Sequence, residues 1–125
     1  MKKAALGVLG SFGKRSASID ITFLGDAGIK KMNRKYMGRN RTTDVLSFLL
    51  PAPPGKNKRT IIGDIYISKD TARRNARRFN TGLGRELTLY TIHGVLHLLG
   101  FDDRTPGERA RIRKLEEKFL EKLIT

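Results

Sequence analysis

The chain has 125 residues, with 26 Lys and Arg against 12 Asp and Glu, giving a formal net charge of +14. It has no Cys, which excludes a disulfide scaffold, a thiolate zinc site, an iron–sulfur cluster and a cysteine nucleophile. No apolar run approaches the ~20 residues of a membrane span. The length predicts one domain over residues 1–125, and the lack of Cys fits a reducing cytoplasm.

The first residues combine lysines, a short apolar stretch and small side chains, an order shared with secretory signal peptides. Ala4 to Leu9 is short for that role, and a helix over 2–10 is expected instead. Residues 17–24 alternate Ile19, Ile21 and Phe23 with Asp20 and Thr22, the period of a strand. Asp26 starts a helix that carries Ile29, Met32 and Tyr36 and ends at Gly38. Residues 44–50 and 61–67 read as strands, separated by a Pro- and Gly-rich loop at 51–59. Ser68 caps a helix over 69–80. Its Ala72, Ala76 and Phe79 lie opposite a basic face of Arg73, Arg74, Arg77 and Arg78, with no i,i+4 acid between the arginines. Residues 85–99 form a long apolar helix closed by Gly100. Thr105 to Glu108 is a capping box with Pro at the first helical position. It launches a last helix with Ile112, Leu115, Phe119 and Leu123 near one face. Three strands among four or five helices make a small mixed α+β fold.

The positive charge is uneven. Residues 1–101 carry 19 basic and 6 acidic side chains, so the excess lies in the body of the chain and not in a tail. A polyanion is the natural partner of such a field, and nucleic acid rewards it by counterion release. The guanidinium fork of the 73–78 arginines suits phosphate. No helix combines a basic face with a bulky aromatic one, which argues against a membrane surface.

The two histidines, His93 and His97, stand four apart in the apolar helix. That spacing places them about 40° apart on the helical wheel and roughly 6 Å apart along the axis, within reach of one ion. Leu87, Leu89, Ile92, Val95, Leu96, Leu98 and Leu99 cover most of the circumference. Polar residues are confined to a strip of Glu86, Tyr90, His93 and His97, which must face something polar. Gly100 then lets the chain turn back and bring Asp102 or Asp103 beside the imidazoles. Two imidazoles, a carboxylate and an open position are the form of a catalytic zinc site. The metallopeptidase helix reads H-E-x-x-H, but position 94 is Gly, so the peptidase base is absent and the gap leaves room for a bulkier substrate. A bound metal still lowers the pKa of its water towards ~7.

The segment HGVLHLLGFDD, residues 93–103, resembles the signature H-G-x-L-H-L-x-G-Y-D-H of the YbeY family of bacterial rRNA-maturation endoribonucleases. Residues 32–48, MNRKYMGRNRTTDVLSF, are similar to that family's L-N-x-x-Y-R-G-K-D-x-P-T-D-V-L-S-F, and GDIYIS at 63–68 to its L-G-D-I-x-I-S. The resemblance spans roughly residues 18–124. It implies a zincin-like α+β fold, one zinc ion, and cleavage of single-stranded RNA in 16S rRNA 3′-end maturation and ribosome quality control on the small ribosomal subunit. It assigns His93, His97 and Asp103 as catalytic metal ligands, with Asp103 where the family carries His. Asp102 is left to stabilise the turn. Met37 stands where the family has an arginine of the substrate cleft, so Arg39 and Arg41 are the expected substitutes, with Ser47 lining the cleft. Family members also carry a strand before the first helix, so a sheet one strand smaller with an exposed edge is expected. Two rival readings are a non-catalytic ribosome or RNA-binding factor with a structural metal, favoured by Met37, and a metallohydrolase of a small substrate, which leaves the charge of +14 without a role.

Overall fold

The computed structural model describes residues 1–14, 16–55 and 60–124. The elements are α1 (Lys2–Ser11), β1 (Ala17–Leu24), α2 (Asp26–Met37), β2 (Val45–Leu50), β3 (Ile61–Ser68), α3 (Lys69–Arg78), α4 (Leu83–Leu98) and α5 (Pro106–Ile124). Of the expected 51–59 loop, residues 56–59 lie outside the described residues. The fold is α+β, with a three-stranded mixed sheet in the order β1-β3-β2. β3 is central; it runs parallel to β1, with Ile21 opposite Ile65, and antiparallel to β2, with Ser47 also opposite Ile65. β1 and β2 are therefore the two edge strands of this sheet.

The local signals act as their chemistry dictates. The Ser68 hydroxyl accepts the Thr71 N–H at 3.1 Å and caps α3. Both arms of the capping box form: Thr105 N–H reaches Glu108 Oε1 at 3.0 Å and Glu108 N–H reaches Thr105 Oγ1 at 3.1 Å. α4 begins at Leu83, two residues earlier than expected.

The core sits between α4 and one face of the sheet. α1 closes it with Ala5, Val8 and Leu9, and α5 with Ile112, Phe119 and Leu120. Ile92, Val95 and Leu96 of α4 are completely buried, each contributing about 1.5–3 kcal/mol by leaving water. α4 approaches the sheet closely at two glycines. A Cβ on Gly63 of β3 would stand 2.8 Å from Leu98 Cδ1, and one on Gly94 of α4 would stand 2.9 Å from Ser47 Oγ and 3.0 Å from Ile65 Cγ2. At such distances the packed neighbours must shift to admit a side chain.

Several wheel positions differ from expectation. Phe79 is 58% exposed, because it lies at the C-cap of α3, beyond the regular helix; Arg78 covers its ring at 5.2 Å. Phe23, at the end of β1, is exposed, so the alternation serves Ile19 and Ile21. Tyr36 is exposed and packs edge-on against Phe48, 5.5 Å between ring centres. On α5, Leu120 and not Leu123 joins the core.

Candidate metal centre

His93 and His97 open into a cleft of about 400 Å³. It lies between the C-terminal half of α4, the start of β2, the 38–44 loop and the turn after α4. The turn is a Schellman motif: Gly100 takes φ 96°, its N–H donates to the His97 carbonyl at 3.0 Å, and Phe101 N–H donates to the Leu96 carbonyl at 3.0 Å. The chain reverses and carries Asp103 back to the imidazoles. Asp103 Oδ2 lies 3.4 Å from His97 Nε2 and 3.7 Å from His93 Nε2, and the two Nε2 atoms are 2.9 Å apart.

Asp102 has a different task. Its Oδ1 accepts the Asp103 N–H at 2.9 Å and its Oδ2 lies 3.4 Å from Arg104 Nε, so it braces the turn that presents Asp103. On the far side of His93, Nδ1 lies 3.3 Å from Oε1 of Glu116 on α5. A carboxylate there accepts a hydrogen bond from Nδ1–H, which keeps the proton on Nδ1 and leaves the Nε2 lone pair facing the cleft. Burial pulls the His93 imidazole down; the hydrogen bond and charge of Glu116, with the charges of Asp44 and Asp103, outweigh it and hold it above its ordinary value.

These atoms fit a divalent ion. One ligand atom from each of His93, His97 and Asp103 lies within 4.8 Å of the other two. A tetrahedral zinc with bonds of about 2.0–2.1 Å sets its ligands about 3.3 Å apart, close to the observed spacings. The donor set of two imidazoles and one carboxylate is the borderline mixture zinc accepts, and the fourth side faces the cleft.

Gly94 has a structural reason. The space beside it is filled by Ser47, Ile65 and Val45 of the sheet, so no gap for a bulky substrate exists there, contrary to the sequence expectation. Ser47 Oγ donates to the Gly94 carbonyl at 2.9 Å, tying β2 to α4.

The structure gathers some predicted residues and separates others. Arg39, Arg41 and Ser47 line the cleft with Met37, Thr43 and Asp44. Arg73, Arg74, Arg77 and Arg78 are not among the lining residues. Two of them have acidic partners: Arg73 lies 3.6 Å from Asp70, one helical turn before it, and Arg74 makes a two-pronged pair with Asp26 of α2 at 2.6 and 3.0 Å, which no local pattern reveals. The Arg74 hydrogen bond, against a smaller opposing effect of burial, holds the Asp26 carboxyl below its ordinary value. The polar strip of α4 is also divided. Glu86 and Tyr90 are buried and face away from the cleft lining, bonded to Thr81 and Asn75.

Glu116 and Asn33 escaped the sequence reading. Each carries a usable signal, since Glu116 stands four residues after Ile112 and Asn33 four after Ile29, on stripes otherwise given to apolar side chains.

A family model described as Endoribonuclease YbeY matches residues 3–124. The chain is 40% identical over 116 residues to an "Endoribonuclease YbeY" of Anaeromyxobacter sp. strain Fw109-5, covering 93% of this chain and 59% of that protein. It is 39% identical over 120 residues to one of Chlorobium phaeovibrioides, covering 96% and 78%. The solution structure of a Thermotoga maritima protein matches with a TM-score of 0.65 at 26% identity, over 96% of this chain and 76% of that one. The chain thus spans less than two thirds of the length of the Anaeromyxobacter relative.

Proposed function

The chain belongs to the YbeY endoribonuclease family, and from that premise we propose that residues 1–125 form one domain, a metal-dependent endoribonuclease specific for single-stranded RNA. It works in the cytoplasm on ribosomal RNA of the small ribosomal subunit, in 16S rRNA 3′-end maturation and ribosome quality control. The observation that carries this reading is the convergence of His93, His97 and Asp103 in a cleft also lined by Arg39 and Arg41. His93, His97 and Asp103 hold one zinc ion. That ion, when bound, supplies positive charge to the phosphodiester and acidifies water.

The protein's own residues do the rest. Glu116 orients His93, and Asp102 steadies the turn that carries Asp103. Arg39 and Arg41 attract the RNA backbone, and their forks match phosphate oxygens. Ser47, its proton committed to the Gly94 carbonyl, shapes the wall of the cleft. The arginines of α3 lie away from the cleft lining, and Arg77 and Arg78 act as general attractors of polyanion. Among the described residues no helix is long and apolar enough to cross a membrane.

The test is incubation of the pure protein with ribosomal RNA, with and without chelator, beside His97→Ala. Cleavage by the wild type alone, lost in both controls, is the expected result. Binding without cleavage favours the second reading, an RNA-binding factor with a structural metal; the feature behind it is Met37, a half-exposed side chain in the cleft where the family motif has arginine.

A further inference from the structure

Asn33 is a polar side chain in a place α2 gives to its buried stripe. It is 3% exposed, while its neighbours Lys31 and Arg34 face solvent. An apolar residue would fill that position at lower desolvation cost. The amide is used instead to hold the next loop. Asn33 Nδ2 donates to the Arg41 carbonyl at 2.9 Å, and the main-chain carbonyl of Asn33 accepts the Arg39 N–H at 3.3 Å. Just before these anchors Gly38 turns the chain with φ 69°. The Asn33 side chain thus fixes the backbone at Arg41, and with the main-chain bond to Arg39 closes the loop that carries both arginines at the mouth of the metal cleft. Among the described residues neither arginine side chain makes an ion pair or a hydrogen bond, and both line the cleft.

We propose that Asn33 is a positioning residue for phosphate recognition: it holds the 39–41 backbone so that Arg39 and Arg41 clamp the phosphates flanking the scissile bond of single-stranded RNA. The inference rests on the endoribonuclease reading above and adds to it the residue that sets the clamp. A free loop would lose its conformational freedom on binding each substrate; a loop already held has lost it on folding. The guanidinium forks then meet phosphate oxygens in a set geometry.

The experiment measures binding of a labelled, cleavage-resistant phosphorothioate single-stranded RNA to the zinc-loaded protein across a salt series. Run beside Asn33→Leu, which removes the donor without adding charge and should show the same loss, Asn33→Asp keeps the shape and removes the donor. It is expected to weaken binding about ten-fold and to lower the slope of log Kd against log salt by about one to two, one for each phosphate no longer engaged. Zinc affinity should stay within about two-fold, because no ligand is touched. Combining Arg39→Gln with Arg41→Gln should give a similar loss, and adding Asn33→Asp to that pair should cost little more, since the three act as one unit. Full affinity and slope in Asn33→Asp, with loss in the arginine pair, overturns the inference alone. Full affinity in the arginine pair overturns the RNA reading of the cleft and the inference with it. If Asn33→Asp does not fold, Gly38→Ala displaces the same loop from its other end, because a Cβ there is strained at positive φ. It should reproduce the loss, while Gly38→Asn, which tolerates that backbone, should bind as the wild type does; equal binding by all three proteins overturns the proposal.

Discussion

The two halves of α4 carry polar residues on what the sequence presents as one strip, yet they use them in opposite ways. In the N-terminal half Glu86, Thr88 and Tyr90 are spent inside the protein. Glu86 accepts from Thr81 Oγ1 at 2.7 Å, Thr88 donates to the Gly84 carbonyl, and Tyr90 accepts from Asn75 Nδ2 at 2.6 Å. All three residues are buried. In the C-terminal half the imidazole Nε2 atoms of His93 and His97 find only each other and the Asp103 carboxylate, at the wall of an open cleft. A polar residue on a buried helix is therefore no pointer to chemistry until its partners are known. Satisfied groups stabilise the fold, and groups that converge on one another across a cleft are free to bind.

The sharpest way to break this contrast is His97→Ala. Zinc affinity should fall by more than the ~10–100-fold typical of supporting partners, and RNA cleavage should vanish. Asp103→Ala should lose at least about 10-fold, and Asp102→Ala less than that, all read by titrating zinc into the apo proteins. A larger loss in Asp102→Ala would reassign the third ligand.

Next comes the packing of α4 against the sheet. Gly94→Glu restores the peptidase pattern in sequence, but its side chain has nowhere to go. Overpacking costs about 1–3 kcal/mol or more, beyond the ~1 kcal/mol regained by removing a helical glycine. Thermal melting should show a drop of several degrees, and no peptidase activity should appear. An unchanged midpoint would mean that β2 yields at this point.

Glu116→Gln tests the orienting carboxylate. It should lower zinc affinity about 10-fold with little change in the melting of the metal-free protein. A variant with full affinity would make the His93–Glu116 contact incidental.

The smallest effect belongs to the other half of α4. Tyr90→Phe removes one hydrogen bond, about 1 kcal/mol, and should leave zinc affinity untouched. Burial pushes the Tyr90 phenol up to about 12; the Asn75 hydrogen bond opposes this and the charges of Glu86 and Asp44 add to it. The unfolded chain ionises near 10. Stability from this group is therefore complete below pH ~10 and is lost as pH rises from there towards 12. A spectrophotometric titration should show one phenol ionising near 12 that Tyr90→Phe abolishes.

Much of the fold was legible because local signals agree with tertiary need: the alternation of Ile19 and Ile21, Ser68 as a cap, the Thr105–Glu108 box and Gly100 as a helix stop each act where they stand. The i,i+4 imidazoles and the glycine stop also made the convergence of His93, His97 and Asp103 readable. Long-range pairing was not. Nothing local says that Asp26 on α2 reaches Arg74 on α3, or that Gly94 is small because strands press on it. Wheel arguments failed at element ends, as at Phe79, where helical geometry has stopped. Glu116 and Asn33 were overlooked because a polar residue on an apolar stripe looks like an interruption until the partner across the gap is seen.

The Glu116 contact has a consequence for the order in which the protein is made. His93 and His97 leave the ribosome before Asp103, and the carboxylate that orients His93 follows on α5. Domains gain structure as the chain emerges from its N-terminus. Until α5 has docked, the imidazole of His93 has no partner to set its tautomer, and Ile112, Phe119 and Leu120 have not covered the core. The orientation of His93 by a carboxylate is thus withheld until α5 has been made and has docked.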